Sequence, residues 1–308
     1  MNIGIDLGGT KIEGLLIDDE GQELSRQRIA TPNNNYTATI EAVYRLVTNL
    51  TQDFNVPNDL PVGIGIPGTI SQKTGLVKNA NSTCLIGKPL DKDIENRLQR
   101  AVKLSNDANC FALSEAIDGA GSGAGIVFGV ILGTGVGAGI TLDGTLWTGP
   151  NSISGEWGHN PIPWPHIFTN DKTNKNAEYP GRACYCGKTG CIETFLSGPG
   201  LMADHKSHNK VSLTPPAIIS AASKGNTNAK ATINRYHDRL ARALSGVINI
   251  IDPDIIVLGG GLSNIESLYY TIPRLWQKWI FSDECVTKLL KNHHGDSSGV
   301  RGAAWMWR

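Results

Sequence analysis

The sequence has no excess of charge of either sign: 28 Lys plus Arg stand against 28 Asp plus Glu in 308 residues. No long run of like charge occurs either. Binding to nucleic acid or to a membrane surface usually leaves a basic patch, so neither partner is expected. Cysteine is sparse. Six in a chain of this length are too few for a disulfide scaffold, which makes the cytoplasm the expected compartment. The first residues carry a charge at Asp6 and glycines at positions 8 and 9, so they fit neither a signal peptide nor a membrane span. Two nucleotide signatures are missing as well. The first glycine turn lacks the G-x-x-x-x-G-K-[ST] spacing of a P-loop, and it is not followed by the helix that a dinucleotide fingerprint requires.

What the chain does have is glycine. Its 36 glycines are clustered, which points to ligand contact through the backbone. At 40% hydrophobic the chain can bury a substantial core, and one or two domains are expected. Residues 2–6 read as a strand, Leu7-Gly-Gly-Thr-Lys11 as a tight turn and residues 12–17 as a second strand. The pattern returns as strand 126–132, turn Gly133-Thr-Gly-Val-Gly-Ala-Gly139 and strand 140–142. A turn with two glycines can aim several amide hydrogens at one anion, and Thr10 and Lys11 add a hydroxyl and a positive charge. An ordinary hairpin turn is the alternative, and the repetition favours phosphate at both turns. A third cluster, Gly259-Gly-Gly261, follows a buried strand at 254–258, where bare backbone would let a purine ring lie flat. The small residues 119–125 read as a hinge. Residues 37–50 and 229–251 have helical periodicity, and 298–307 reads as a small-residue helix packed closely on a neighbour.

Three further stretches carry side-chain chemistry. In Leu104-Ser-Asn-Asp-Ala-Asn109 a short strand gives way to a helix predicted over 108–120, which places Asp107 at the carboxyl end of a strand, where open α/β sheets hold ligands. A carboxylate there either caps the helix or takes a proton from a substrate. The polar cluster Asn79-Ala-Asn-Ser-Thr83 is a solvated turn or a hydroxyl-reading loop. His159 with Cys184, Cys186 and Cys191 makes a closed tetrahedral set for Zn²⁺, which would be structural because no coordination position stays open. Free thiols are the alternative; a bond between Cys184 and Cys186 is disfavoured by strain and compartment. Glu156 and Glu193 flank this set. They are either surface carboxylates or acceptors for the vicinal hydroxyls of a sugar.

Asp6-Leu-Gly-Gly-Thr-Lys11, Gly63-Ile-Gly-Ile-Pro-Gly68, Asn106-Asp-Ala-Asn109, Leu132-Gly-Thr-Gly135, Gly155-Glu-Trp-Gly-His159, the three cysteines and Gly259-Gly-Gly261 together resemble the ROK sugar kinases over the whole chain. Residues 77–83, 158–164 and 294–304 look closest to the bacterial fructokinases that also phosphorylate mannose. N-acetylglucosamine kinases of the family are similar through much of the chain and tend to differ in the loop after Asn81. The resemblance implies an α/β, actin-like ATPase (ribonuclease H-like) fold of two domains with ATP in the cleft between them. The first would span 1–120, joined by the last helix at 297–308, and the second 121–296 with the zinc segment. ATP and Mg²⁺ would lie on Gly8, Gly9, Thr10, Lys11, Gly133, Thr134, Gly135, Gly259, Gly260 and Gly261. Asp107 would be the general base, and the hexose would be held by Gly68, Asn81, Asn106, Asp107, Glu156, His159 and Glu193. His159 would give one ring nitrogen to zinc and the other to the sugar. Ala138, where many relatives have glycine, is a departure that would crowd the phosphate turn. Closure about the 119–125 hinge would exclude water. The expected reaction converts D-fructose and ATP to fructose 6-phosphate and ADP, with mannose secondary; an N-acetylglucosamine kinase or glucokinase is the alternative. Sugar-responsive repressors of the family carry a helix-turn-helix ahead of the first hairpin, whereas this first strand begins at residue 2, so a non-enzymatic sugar sensor is the lesser expectation. Family members are often dimers, which makes a homodimer an expectation without a named interface.

Overall fold

The computed structural model describes residues 1–80, 82–166, 178–295 and 298–308. The contacts group into two units, one of residues 1–123, 139–154 and 293–308, the other of 124–138 and 155–292. The boundary expected at 120/121 therefore needs a correction, because 139–154 belongs to the first unit. The reason is close packing on a helix: a Cβ on Gly139 would lie 2.7 Å from the carbonyl oxygen of Ala108.

In the first unit β1 (Asn2–Leu7), β2 (Lys11–Ile17) and β3 (Glu23–Ala30) form an antiparallel meander. Helix α1 (Tyr36–Thr51) leads to β4 (Val62–Ile66), followed by the short strands β5 (Thr69–Ile70) and β6 (Val77–Lys78). Helix α2 (Leu90–Leu98) then precedes β7 (Val102–Asn106), which runs into α3 (Asp107–Ile117). The sheet order is β3-β2-β1-β4-β7, with β1, β4 and β7 mutually parallel. Parallel strands end on the same side, so Asp6, Gly68 and Asp107 come to one edge of the sheet. Ile3, Ile5, Ile64 and Ile66 from the strands meet Val43, Leu46, Val47 and Leu50 of α1 in a buried core, the helix face expected from its periodicity.

Strand β3 has no apolar alternation to announce it. Its Arg26 and Arg28 both end on the Glu13 carboxylate, which is 1% exposed, with Nε donors at 2.7 and 3.0 Å. Ion pairing does there what apolar burial does elsewhere. Helix α3 ends three residues earlier than the sequence suggests. Its last turn is closed by the Asp118 backbone N–H on the Ser114 carbonyl, and the Asp118 carboxylate is taken by Arg301 and His294.

The second sheet has the order β10-β9-β8-β11-β12. It contains β8 (Ile126–Leu132), β9 (Val136–Leu142) and β10 (Thr145–Leu146). Helices α4 (Glu193–Leu196), α5 (Gly198–Asn209), α6 (Pro215–Ser223) and α7 (Thr227–Ile251) separate these from β11 (Ile255–Gly259). Helix α8 (Leu268–Leu275) and β12 (Lys288–Lys291) follow, and α9 (Ser298–Trp305) returns to the first unit. Helix α7 starts on the Asn226 side chain, which accepts the Ala229 N–H at 2.9 Å. It buries Ile233, Tyr236, Leu240, Leu244 and Val247 on one face. Among the described residues no helix is long and apolar enough to cross a membrane.

Helix α9 is a small-residue helix, and it packs backbone against backbone. A Cβ on Gly302 would lie 1.7 Å from the Cys110 carbonyl oxygen, and one on Gly63 would lie 1.8 Å from that of Ala303. Only glycine fits at such distances.

Candidate active site

In the first unit the strand-to-helix junction is built by two adjacent side chains. Asn106 is the N-cap of α3, its Oδ1 accepting the Ala108 N–H at 2.9 Å, and Asp107 Oδ1 accepts the same N–H at 2.8 Å. The capping position considered for Asp107 is thus filled one residue earlier. Asp107 becomes the first helical residue, an exposed carboxylate oriented by its own helix start. Asn106 Nδ2 also donates to the Gly68 carbonyl at 3.4 Å, joining the ends of β7 and β4. The loop from Lys78 packs on Gly68, where a Cβ would meet Ala80 at 3.0 Å; Asn81 lies outside the described residues. The glycine turn Gly8–Lys11 is tied to the end of β3, since Thr31 Oγ1 donates to the Gly8 carbonyl at 2.7 Å and the Thr31 N–H to the Thr10 carbonyl at 3.1 Å.

Sequence reasoning did not single out Asp6 as a site residue. Burial, together with the nearby charges of Asp107 and Glu13, pushes its carboxyl up to about 6. Acidic groups gathered at one sheet edge repel one another, and a divalent cation relieves the repulsion. The available signal was a charge terminating the buried run Ile3-Gly-Ile5.

In the second unit Glu156–His159 form a short 3-10 helix entered through Gly155, with Trp157 and Gly158 buried and Glu156 exposed. The ligand atoms of His159, Cys184, Cys186 and Cys191 all lie within 4.8 Å of one another. His159 Nδ1 is 3.6 Å from Cys184 Sγ, and Cys186 Sγ is 3.7 Å from Cys191 Sγ. Sulfurs about 2.3 Å from a tetrahedral ion sit about 3.8 Å apart, so the spacing fits zinc. All six cysteines are free thiols. Hydrogen bonding from the Lys188 backbone lowers the Cys186 thiol, whereas burial and the neighbouring thiols push Cys191 up to about 12. A bound cation would replace those protons. The imidazole presents Nδ1 to the thiols, and Nε2 faces outward, 3.0 Å from the Tyr185 hydroxyl. Tyr185, between two of the cysteines, carries no chemical signature of its own and was missed.

Glu193 is half-buried and anchored: its Oε2 accepts the Val136 N–H at 2.9 Å, directly after the turn Gly133–Gly135. The turn closes on itself by a 3.0 Å bond from the Gly133 N–H to the Gly135 carbonyl. The Gly259–Gly261 cluster lies beside it. Strands β8 and β11 pair, and a Cβ on Gly260, at φ +78°, would lie 2.5 Å from the Leu132 carbonyl oxygen. A 3-10 turn, Gly261–Asn264, opens on the last glycine of this cluster, and α8 starts only at Leu268.

A cluster of charges, most of them buried, is linked to the zinc-ligand segment through Arg182, which lies 3.9 Å from Asp204. Glu178 pairs with Arg239 at 2.7 Å and Arg242 at 2.9 Å, and Asp204 pairs with Arg239 and Arg235 at 2.7 Å each. Arg182 Nη1 donates to the carbonyls of Thr194 and Gly200 at 2.8 and 2.9 Å, clamping α4.

The expected site residues thus fall into two groups. Gly8–Lys11, Gly68, Asn106 and Asp107 gather in the first unit. Gly133–Gly135, Gly259–Gly261, Glu156, His159, Glu193 and the thiols belong to the second. Residues 2–308 match the ROK family. The chain belongs to that family. It is 40% identical over 306 residues to the N-acetyl-D-glucosamine kinase of Citrobacter koseri, covering 99% of each chain. Among solved ROK structures, the hexokinase from Thermus thermophilus superposes with a TM-score of 0.85 at 25% identity, over 99% of this chain and 97% of the other. The Streptomyces griseus ROK glucokinase, solved with glucose and AMPPNP, gives a TM-score of 0.74 at 27% identity, over 98% and 97%. The fold is the two-domain actin-like ATPase fold of these ROK kinases.

Proposed function

We propose that this chain is an ATP-dependent sugar kinase that transfers the γ-phosphoryl group of ATP to a hexose hydroxyl. The observation that carries the reading is Asp107 at the carboxyl end of β7 and the start of α3, in a chain whose full-length ROK relative is a sugar kinase. Asp107 accepts the proton of the acceptor hydroxyl as that oxygen bonds to the γ-phosphorus and the bond to the ADP oxygen breaks. General-base assistance of this kind contributes ~10²–10⁴-fold. The rest of phosphoryl transfer is positioning and charge neutralisation. Those tasks would fall to the glycine turns and Lys11, and Asp6 would be a holder of the Mg²⁺ that supplies charge neutralisation. Gly68, Asn106, Glu156, His159 and Glu193 offer the acceptors and donors that a polyol needs, and Asn81 belongs to the same proposal. His159, Cys184, Cys186 and Cys191 would hold a structural Zn²⁺ that fixes the His159 ring; thiol ligation is at home in the reducing cytoplasm.

Two acceptors are supported by different observations. The relative at 40% identity is named for N-acetyl-D-glucosamine, which supports that sugar. Residues 77–83 and 158–164 resemble fructokinases, which supports D-fructose, yielding fructose 6-phosphate, with mannose second. ADP release with Mg²⁺ and ATP, measured with N-acetyl-D-glucosamine, fructose, mannose and glucose in turn, decides between them. The sugar with the highest kcat/KM is the substrate, and no ADP release with any of them would sink the kinase reading.

A further inference from the structure

Glu193 flanks the zinc-ligand set, only two residues after Cys191, yet its carboxylate does not simply await a sugar. One oxygen is held at 2.9 Å by the N–H of Val136, the residue that follows the turn Gly133–Gly135. Gly135 makes this approach possible, since a Cβ there would come within 2.8 Å of Glu193 Oε2. Two more contacts fasten the same turn to the same segment. The Gly198 N–H donates to the Gly133 carbonyl at 2.8 Å. On the other side of Val136, its carbonyl oxygen packs so tightly on Gly158 that a Cβ would lie 2.2 Å away. Val136 is thus gripped between the Glu156–His159 turn and α4, which Arg182 ties to α5 through the carbonyls of Thr194 and Gly200.

We propose that Glu193 is a positioning residue for the nucleotide turn, its carboxylate setting the Gly133–Gly135 backbone through the Val136 N–H, so that nucleotide affinity depends on this side chain even when no sugar is present. The inference rests on the kinase reading for the identity of the turn's ligand. It separates from a purely sugar-binding Glu193, which leaves nucleotide affinity in the absence of sugar unchanged. It also separates from a simple charge effect. A carboxylate near a phosphate-binding turn repels the phosphates, so removing it as a charge alone would strengthen ATP binding, whereas removing it as a hydrogen-bond acceptor weakens binding.

The test is the Kd of Mg²⁺-ATP by titration calorimetry without sugar, for the wild type and for Glu193→Ala, Glu193→Asp and Glu193→Gln, each with zinc content and circular dichroism matched to the wild type. A charge-assisted hydrogen bond that orders a turn is worth roughly tenfold in affinity, so Glu193→Ala is expected to weaken binding by about that factor. Glu193→Asp keeps the charge but falls a methylene short of Val136, and it is expected to weaken binding similarly. Glu193→Gln keeps an acceptor oxygen at the same reach and is expected within about twofold of wild type. If the alanine variant does not fold, the Asp and Gln pair gives the same answer. Nucleotide affinity unchanged or tightened in both Glu193→Ala and Glu193→Asp would overturn the proposal while leaving the kinase reading intact. A wild-type chain that binds no Mg²⁺-ATP without sugar would overturn the proposal, while the kinase reading stands or falls on ADP release.

Discussion

Replacing Asp6 by Asn should make this protein more stable at neutral pH. The Asp6 carboxyl is raised from 3.8 to about 6 by burial and by the negative charges of Asp107 and Glu13. An acid whose pKa is raised on folding holds its proton more tightly in the native state. It therefore costs stability once the unfolded carboxyl ionises, and the cost is complete above the native pKa. A shift of about two units corresponds to about 3 kcal/mol at neutral pH, an upper bound because the neutral amide must also satisfy its hydrogens. Near pH 4.5 the same linkage leaves about 1 kcal/mol, and near pH 3 almost nothing. For a protein of this size each kcal/mol moves the thermal midpoint by about 1.5 °C. Calorimetry of wild type and Asp6→Asn, without Mg²⁺ or nucleotide, should show a gain of several degrees at about pH 7.5 that fades by about pH 4.5. Added Mg²⁺ should narrow the neutral-pH gap by lowering the cost in the wild type. An Asp6→Asn variant no more stable than the wild type at neutral pH, or a gain independent of pH, would refute the reasoning.

Asp107→Asn should keep the fold and lose turnover by at least about 10²-fold, as loss of a general base does; kcat within tenfold of wild type would remove Asp107 from the role. Cys191→Ser, or prolonged chelation, should abolish stoichiometric zinc and lower the thermal midpoint by about 5 °C or more, and unchanged bound zinc by atomic emission would end the metal assignment. Gly302→Ala must push α9 off α3, because its Cβ would lie 1.7 Å from the Cys110 carbonyl oxygen; urea unfolding should show a loss of about 3 kcal/mol or more. Burial alone would raise the Glu178 carboxyl, but hydrogen bonds from Arg242 and Arg239 outweigh it and hold it below the ordinary range. Its contribution is therefore present above an unfolded pKa of about 4.3 and lost as pH falls through the native value. Glu178→Gln should cost about 3–5 kcal/mol at neutral pH, and the gap to wild type should begin to narrow as pH falls below about 4; a gap that stays the same size as pH falls would contradict it.

Local chemistry made much of this protein legible in its sequence. A tight glycine turn between two apolar runs forms a hairpin wherever the rest of the chain goes, and both glycine hairpins, β1–β2 and β8–β9, are present. Cysteines with one and four residues between them, glycines among those, converge on a common centre, and only His159 had to be brought in from a distance. Asp107 is legible for a similar reason, since a strand running directly into a helix settles where its side chain begins. Strand β3 was illegible because its partner is a charge: Arg26 and Arg28 pair with Glu13, which looks like any other acidic residue until the sheet folds over it. The grouping of 139–154 with the first unit rests on contact between Gly139 and α3, which no local pattern encodes. The carboxylate of Glu193 gave the same kind of surprise. Its spacing from Cys191 marks it as part of the zinc-ligand segment, but the N–H it accepts belongs to Val136, 57 residues earlier in the chain. Turns, ligand spacings and strand ends are settled by a few neighbouring residues, so the sequence alone determined them. Which carboxylate meets which arginine, and which glycine lies against which carbonyl, depends on chain segments brought together only by the folded core, and only the tertiary structure decided that.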